Sequence, residues 1–153
     1  MKPNVLFVCV HNSGRSQMAE AFMRRFAGDA FAVHSAGIEP GTLNPHVVQA
    51  MAEIGYDISR ARTKSIADTA ITRNEYRHVV TVCAESEAAQ CPIFPTAGRR
   101  EHWFFADPAA ITSKDPAVLM HAVRSIRDRM LERVRTWAQE KQRELDAERV
   151  SAG

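Results

Sequence analysis

Val5-Leu6-Phe7-Val8-Cys9-Val10-His11-Asn12-Ser13-Gly14-Arg15-Ser16 is the stretch that decides the fold. Val5 to Val10 is an unbroken apolar run rich in valine, the pattern of a strand buried on both faces of a parallel sheet. Asn12-Ser13-Gly14 breaks it, and from Arg15 the period changes. Met18, Phe22 and Phe26 are four apart, with Ala19 and Met23 beside them, which predicts a helix with one apolar face. Gly28 and Asp29 end that helix. A loop between such a strand and such a helix lies at the carboxyl end of the sheet, where open α/β folds bind ligands.

The rest of the chain continues the alternation. Phe31 to Ala36 reads as a second strand and Gly37 to Gly41 as a turn. Asn44-Pro45 is a cap followed by proline at the first helical position, and Val47, Val48, Met51 and Ile54 form the stripe of the helix it starts, with Gly55 at its end. Residues 63–72 suit a short polar helix, and Val79 to Val82 a third strand. Residues 83–101 read mostly as loop, His102 to Phe105 as a short edge strand, and Asp107-Pro108 as a turn. Asp115-Pro116 repeats the cap-and-proline start. Leu119, Val123, Ile126, Met130, Val134 and Trp137 then mark an amphipathic helix over residues 116–137, ~33 Å long at 1.5 Å per residue. From about residue 139 the sequence turns polar, and this helical end is expected to project or fray. Strand and helix signals in this order imply a single α/β domain over residues 1–153, built on a parallel sheet with right-handed crossovers.

Composition narrows the function. Hydrophobic residues are 45% and charged residues 25% of 153, which excludes a disordered chain. Twenty Lys and Arg against 18 Asp and Glu give +2, too balanced for a dedicated nucleic-acid or membrane-surface binder. Val5 to Val10 is too short for the apolar core of a signal peptide, and no stretch of ~18 apolar residues is present, so the expected location is the cytoplasm. Three cysteines, Cys9, Cys83 and Cys91, are an odd number in a chain too long to need a disulfide scaffold. They are expected as thiols, free or used for chemistry.

The loop Val10, His11, Asn12, Ser13, Gly14, Arg15 and Ser16 has the makings of an oxyanion cradle. Successive amides form a concave nest, the helix points its positive end at them, and Arg15 offers a two-pronged fork to a tetrahedral anion. No Gly-Lys-Ser/Thr is present, so this is not a nucleotide-triphosphate loop. Cys9 opens the loop, and the helix N-terminus and Arg15 both favour a thiolate there. A structural reading of Cys9 as a buried strand-end cysteine fits a lone residue less well once Arg15 and Ser16 follow at this spacing.

Cys83 directly follows the third strand, so it too sits at a strand's carboxyl end. Cys91 is eight positions on, across a segment containing Ala84, Ser86, Ala88 and Ala89. Taken alone, Cys83 suits a core position and Cys91 a loop passenger. Three thiols also permit a relay in which a disulfide passes from one pair to the next. The spacing of Cys83 and Cys91 is too long for a zinc chelate, and no second pair exists.

Cys9, five residues, Arg15 and Ser16 resemble the phosphate-binding signature of low-molecular-weight protein tyrosine phosphatases. The longer string from Val8 to Ala21, with Glu101-His102-Trp103 and Asp107-Pro108-Ala109, resembles more closely the thioredoxin-coupled arsenate reductases of that fold. The match runs from about residue 4 to 137. It implies a three-layer α/β sandwich with four parallel strands in the order 2-1-3-4. It implies that Cys9 attacks arsenate, that Cys83 attacks Cys9 and releases arsenite, and that Cys91 attacks Cys83. The resulting Cys83–Cys91 disulfide is then reduced by thioredoxin, and the activity serves arsenic detoxification. Asp107 is implied as the general acid, Ser16 as a partner of the Cys9 sulfur and Asn12 as a brace of the loop.

No metal or organic cofactor is implied for the reaction. Related reductases bind potassium near the positions of Asn12, Glu20 and Ser35, but Lys64 and Ser65 stand here where a further acidic ligand belongs. Seven residues separate Cys83 from Cys91, one more than the family pattern. Phosphate or sulfate is expected to compete for the loop, and the chain is expected to be a monomer. The alternative reading is a phosphatase acting on phosphotyrosine or a small phosphoester. It needs only Cys9, Arg15 and Asp107, but its acid loop carries aromatics where this chain has Ala109-Ala110. A third reading, an oxyanion or redox sensor that binds without turnover, does not need the full set of reactive residues.

Overall fold

The computed structural model describes residues 1–90 and 98–152. Its sheet has four parallel strands in the spatial order β2-β1-β3-β4, as the resemblance implies. They are β1 (Asn4–Cys9), β2 (Ala32–Gly37), β3 (Tyr76–Cys83) and β4 (Arg99–Phe104). Helices α1 (Arg15–Ala27), α2 (Pro45–Glu53), α3 (Thr69–Thr72) and α4 (Pro116–Ala152) flank it, with 3-10 turns at Glu85–Gln90 and Pro108–Ala110.

The β1 run is apolar throughout because both faces of the sheet are covered. Val5 and Phe7 point into the larger core with Met18, Phe22, Val47, Met51, Val123, Met130 and Val134. Leu6 and Val8 point the other way, onto Ala36, Ile71, Tyr76 and Val79. Asn44 caps α2 as its sequence suggests, its Oδ1 accepting from the amides of His46 (2.9 Å) and Val47 (3.4 Å). Asp115 does the same at the start of α4, accepting from the Ala117 amide at 3.0 Å.

Several expectations are corrected. Of residues 63–72, only Thr69–Thr72 is helical. β3 begins three residues before Val79, and β4 begins at Arg99 rather than His102. Residues 85–90 form a 3-10 turn within the segment read as loop. Trp103 and Phe105 are buried as expected, but His102 is exposed and Phe104 is half exposed. The largest correction concerns the polar end of α4. It neither frays nor projects freely, because Lys141 and Leu145 are buried against the sheet. Arg77 pairs there with Glu148, and Arg99 pairs with Glu144 at 3.1 Å. The polar residues form the outer face of a docked helix.

His78 on β3 shows what that docking encloses. Its ring is 3% exposed and lies between Phe31 and Trp137, with centroids 6.3 and 5.3 Å away. Its Nδ1 has no hydrogen-bond partner among the described residues. Burial, reinforced by the charges of Lys141, Arg77 and Arg99 and opposed by Glu144, pushes its pKa down to about 4. An unfolded histidine titrates near ~6.5. Between those values the unfolded chain takes up a proton that the folded chain refuses, so stability falls as pH drops from ~6.5 towards 4 and this group adds no further loss below that. The expected cost is about 2 kcal/mol between pH 7.5 and pH 5. Urea unfolding at the two pH values checks it, and His78→Phe should lose that part of the pH dependence.

Candidate active site

The loop from Val10 to Gly14 leaves β1 at its carboxyl end and enters α1 without a side-chain cap at the helix N-terminus. Asn12 adopts a left-handed backbone (φ 53°), a conformation that asparagine tolerates better than most residues. Its side chain makes every hydrogen bond an amide can. Nδ2 donates to Ser16 Oγ (2.7 Å) and Ser35 Oγ (3.0 Å). Oδ1 accepts from Gln17 Nε2 (3.0 Å) and the Lys64 amide (2.9 Å). Asn12 is wholly buried, so a saturated amide there fixes the loop instead of costing stability.

That network aims donors at Cys9. The Asn12 amide N–H donates to Cys9 Sγ at 3.1 Å, and Ser16 Oγ lies 2.8 Å from the same sulfur. Because Ser16 Oγ accepts from Asn12, its own hydroxyl proton is free to point at Sγ. Two donors thus converge on the one sulfur that opens the loop. Cys9 is a free thiol and 2% exposed.

The backbone just beyond β2 grips the loop from outside. Ile38, Glu39 and Gly41 donate to the carbonyls of Cys9 (3.3 Å), Val10 (2.8 Å) and His11 (2.9 Å). His11 Nδ1 donates in turn to the Glu39 carbonyl at 2.9 Å. A Cβ on Gly37 would sit 2.8 Å from both the Asn12 nitrogen and the His11 carbonyl carbon. Gly37→Ala must therefore push the loop outward. It should cost about 1–3 kcal/mol of stability and weaken phosphate binding about tenfold or more. Thermal unfolding and phosphate titration measure the two effects.

Arg15 is 2% exposed, at the first position of α1. Its Nη1 donates to Glu87 Oε1 at 2.5 Å and to the Phe105 carbonyl at 3.2 Å, and its Nη2 donates to Glu87 Oε2 at 3.1 Å. Asp107 Oδ2 lies 3.5 Å from Nη2. Burial works to lower the Arg15 pKa, but the Glu87 hydrogen bonds and the charges of Cys9 and Asp107 outweigh it and hold it above its ordinary value. Asp107 also caps the 3-10 turn that follows it, its Oδ1 accepting from the Ala109 amide at 2.9 Å. Cys9, Asn12, Arg15, Ser16 and Asp107 thus come together as the sequence suggests.

Cys83 ends β3, the strand next to β1, and it is disulfide-bonded. Cys91 lies outside the described residues. Behind the loop, Glu20 Oε1 accepts from Ser35 Oγ (2.5 Å) and Lys64 Nζ (3.3 Å), and Arg24 lies 3.1 Å from Oε2. The cluster near Asn12, Glu20 and Ser35 therefore has an ammonium of the chain's own, and no metal-ligating cluster occurs among the described residues. Sequence reasoning missed Glu87 and Gln17. Glu87 left one signal, a carboxylate four positions beyond a cysteine that closes a neighbouring strand. Gln17 left none, since a glutamine at the start of a helix reads as surface.

This nested loop, buried thiol and arginine fork define a class. Residues 4–149 match the family model described as low molecular weight phosphotyrosine protein phosphatase, and the chain belongs to that family. Within it, the chain is 48% identical over 105 residues to an arsenate reductase of Bacillus subtilis strain 168, a match covering 69% of this chain and 73% of the relative. A solved structure of a thioredoxin-dependent arsenate reductase from Corynebacterium glutamicum superposes with a TM-score of 0.67 at 30% identity, covering 92% of this chain and 62% of that one. An arsenate reductase in the phosphate binding state superposes at 0.70 and 29% identity, covering 92% and 98%. No helix among the described residues is long and apolar enough to cross a membrane.

Proposed function

We propose that this protein reduces arsenate to arsenite in the cytoplasm by a thiol relay, as a monomer, with thioredoxin as the final reductant. The observation that carries the reading is a second cysteine, Cys83, at the end of the strand beside the one that ends in Cys9. Hydrolysis of a phosphoester has no use for it. The likeness to arsenate reductases, one of them thioredoxin-dependent, supports the same reading.

Arsenate sits in the loop of residues 10–16 with its oxygens on the backbone amides and the Arg15 fork. The Cys9 thiolate attacks arsenic and a sulfur–arsenic bond forms. One oxygen leaves as water, with Asp107 supplying a proton. The Cys83 thiolate then attacks Cys9 Sγ. The new S–S bond takes its electrons from Cys83, and the sulfur–arsenic pair departs on arsenic, which leaves as arsenite. Cys91 attacks Cys83, returns Cys9 to a thiolate and leaves a Cys83–Cys91 disulfide. The dithiol of thioredoxin reduces that bond by two electrons. A free Cys9 beside a disulfide-bonded Cys83 fits the last state of this cycle.

Counting arsenite in a single turnover tests the order. Cys83→Ser should form the arsenate adduct and release no arsenite. Cys91→Ser should release about one equivalent, accumulate a Cys9–Cys83 disulfide and stall with thioredoxin as donor. Sustained turnover of Cys91→Ser with thioredoxin would refute the three-cysteine scheme. The family match favours phosphoester hydrolysis as a second reading. Hydrolysis should survive both changes, and a wild type that hydrolyses phosphotyrosine without reducing arsenate would establish it.

A further inference from the structure

We infer that Glu87 is an internal ligand of the oxyanion loop. With Cys83 disulfide-bonded, its carboxylate occupies the Arg15 fork, and a tetrahedral anion binds only by displacing it. The inference rests on the reading of residues 10–16 as an oxyanion site.

The pairing has the form of a substrate complex. Both carboxylate oxygens meet both terminal nitrogens of Arg15, at 2.5 and 3.1 Å, the two-pronged geometry by which arginine also holds one edge of a phosphate. Nη1 is further engaged by the Phe105 carbonyl and Nη2 faces Asp107, so both terminal nitrogens are already taken. The carboxylate is itself largely shielded, its side chain 17% exposed. The Arg15 hydrogen bonds, outweighing partial burial, hold its pKa below the usual carboxylate value, so it is an anion at neutral pH. The fork and its occupant are 72 positions apart in sequence, so the contact is a product of the fold.

The link to Cys83 is short. The Ala84 amide donates to Glu87 Oε1 at 2.8 Å, and Ala84 is the residue after Cys83. The segment that aims the carboxylate therefore starts at the disulfide-bonded cysteine, and reduction of that bond is the step expected to release it. The consequence for turnover is directional. An enzyme that has spent its thiols closes its own anion site until it is reduced, and arsenate or phosphate rebinds only to the form able to react.

The test is titration with inorganic phosphate of the full chain, oxidised and reduced, for wild type, Glu87→Gln and Glu85→Gln. Glu85 is an exposed carboxylate in the same turn, and its substitution makes the same change in net charge without touching the fork. The oxidised wild type should bind phosphate about tenfold or more weakly than the reduced wild type. Glu87→Gln should close that gap by tightening the oxidised form, and Glu85→Gln should leave it open. Oxidised Glu87→Gln that binds no tighter than oxidised wild type overturns the inference, as does an equal gain from Glu85→Gln. Equal affinity of oxidised and reduced wild type overturns it too. In those cases the oxyanion site itself stands, because phosphate still binds. Loss of phosphate binding in every form removes the oxyanion reading and this inference together.

Discussion

Cys9→Ser should release no arsenite above background, a fall of at least about a thousandfold, while keeping its fold. The size follows from electron accounting. Reduction of As(V) to As(III) takes two electrons from two thiolates that end as a disulfide. A serine oxygen is not ionised at neutral pH, and it cannot enter a disulfide. The change therefore removes the chemistry and not only its rate. The fold should survive because the sulfur is held by an amide N–H and a hydroxyl, from Asn12 and Ser16, and an oxygen accepts from both. Stability should stay within about 1 kcal/mol of wild type, and phosphate should still bind, since Arg15 and the loop amides are unchanged. Arsenite release, phosphate titration and thermal unfolding on one preparation separate these claims. Reduction at near wild-type rate would remove Cys9 from the mechanism.

Much of this site was legible because its signals are local. The shift from the apolar run of β1 to the four-residue period of α1 happens within a few residues, and the loop between them must then face the carboxyl end of the sheet. The caps at Asn44 and Asp115 are equally local, a side-chain acceptor next to a proline. What stayed hidden was set by tertiary partners. β3 starts with Tyr76, Arg77 and His78, and that triplet is not the unbroken apolar run that marks a strand covered on both faces. It is a strand because β1 and β4 pair with it. β4 begins Arg99-Arg100-Glu101, charges suited to a sheet edge and easily mistaken for loop. The end of α4 reads as solvated because its buried positions are few. Lys141 is buried by its stem while its ammonium lies 3.3 Å from Glu144, and Leu145 is one apolar residue in a charged stretch. The Glu87 contact with Arg15 has no periodicity to betray it.

Arg15→Lys should lower kcat/KM for arsenate by about a hundredfold to a thousandfold. Charge is preserved, so the prediction isolates geometry. The guanidinium of Arg15 presents two terminal nitrogens in one plane, and here both are used at once, on Glu87 and on the Phe105 carbonyl. An ammonium on a shorter stem is a single point with a different donor arrangement. It cannot hold two oxygens of a tetrahedral anion in register with Cys9. The loss should fall on kcat more than on KM if the fork grips the transition state more tightly than the ground state. A drop in affinity alone would make Arg15 a binding group. Phosphate inhibition gives an independent readout, and its inhibition constant should rise. Thermal unfolding guards against a trivial cause, because a lysine there leaves the Glu87 carboxylate with a poorer partner in a shielded site. A variant that keeps the stability of wild type and loses both catalysis and phosphate inhibition would place Arg15 on the oxyanion. Unchanged kcat, KM and phosphate inhibition would show that the Arg15 fork serves only to hold Glu87.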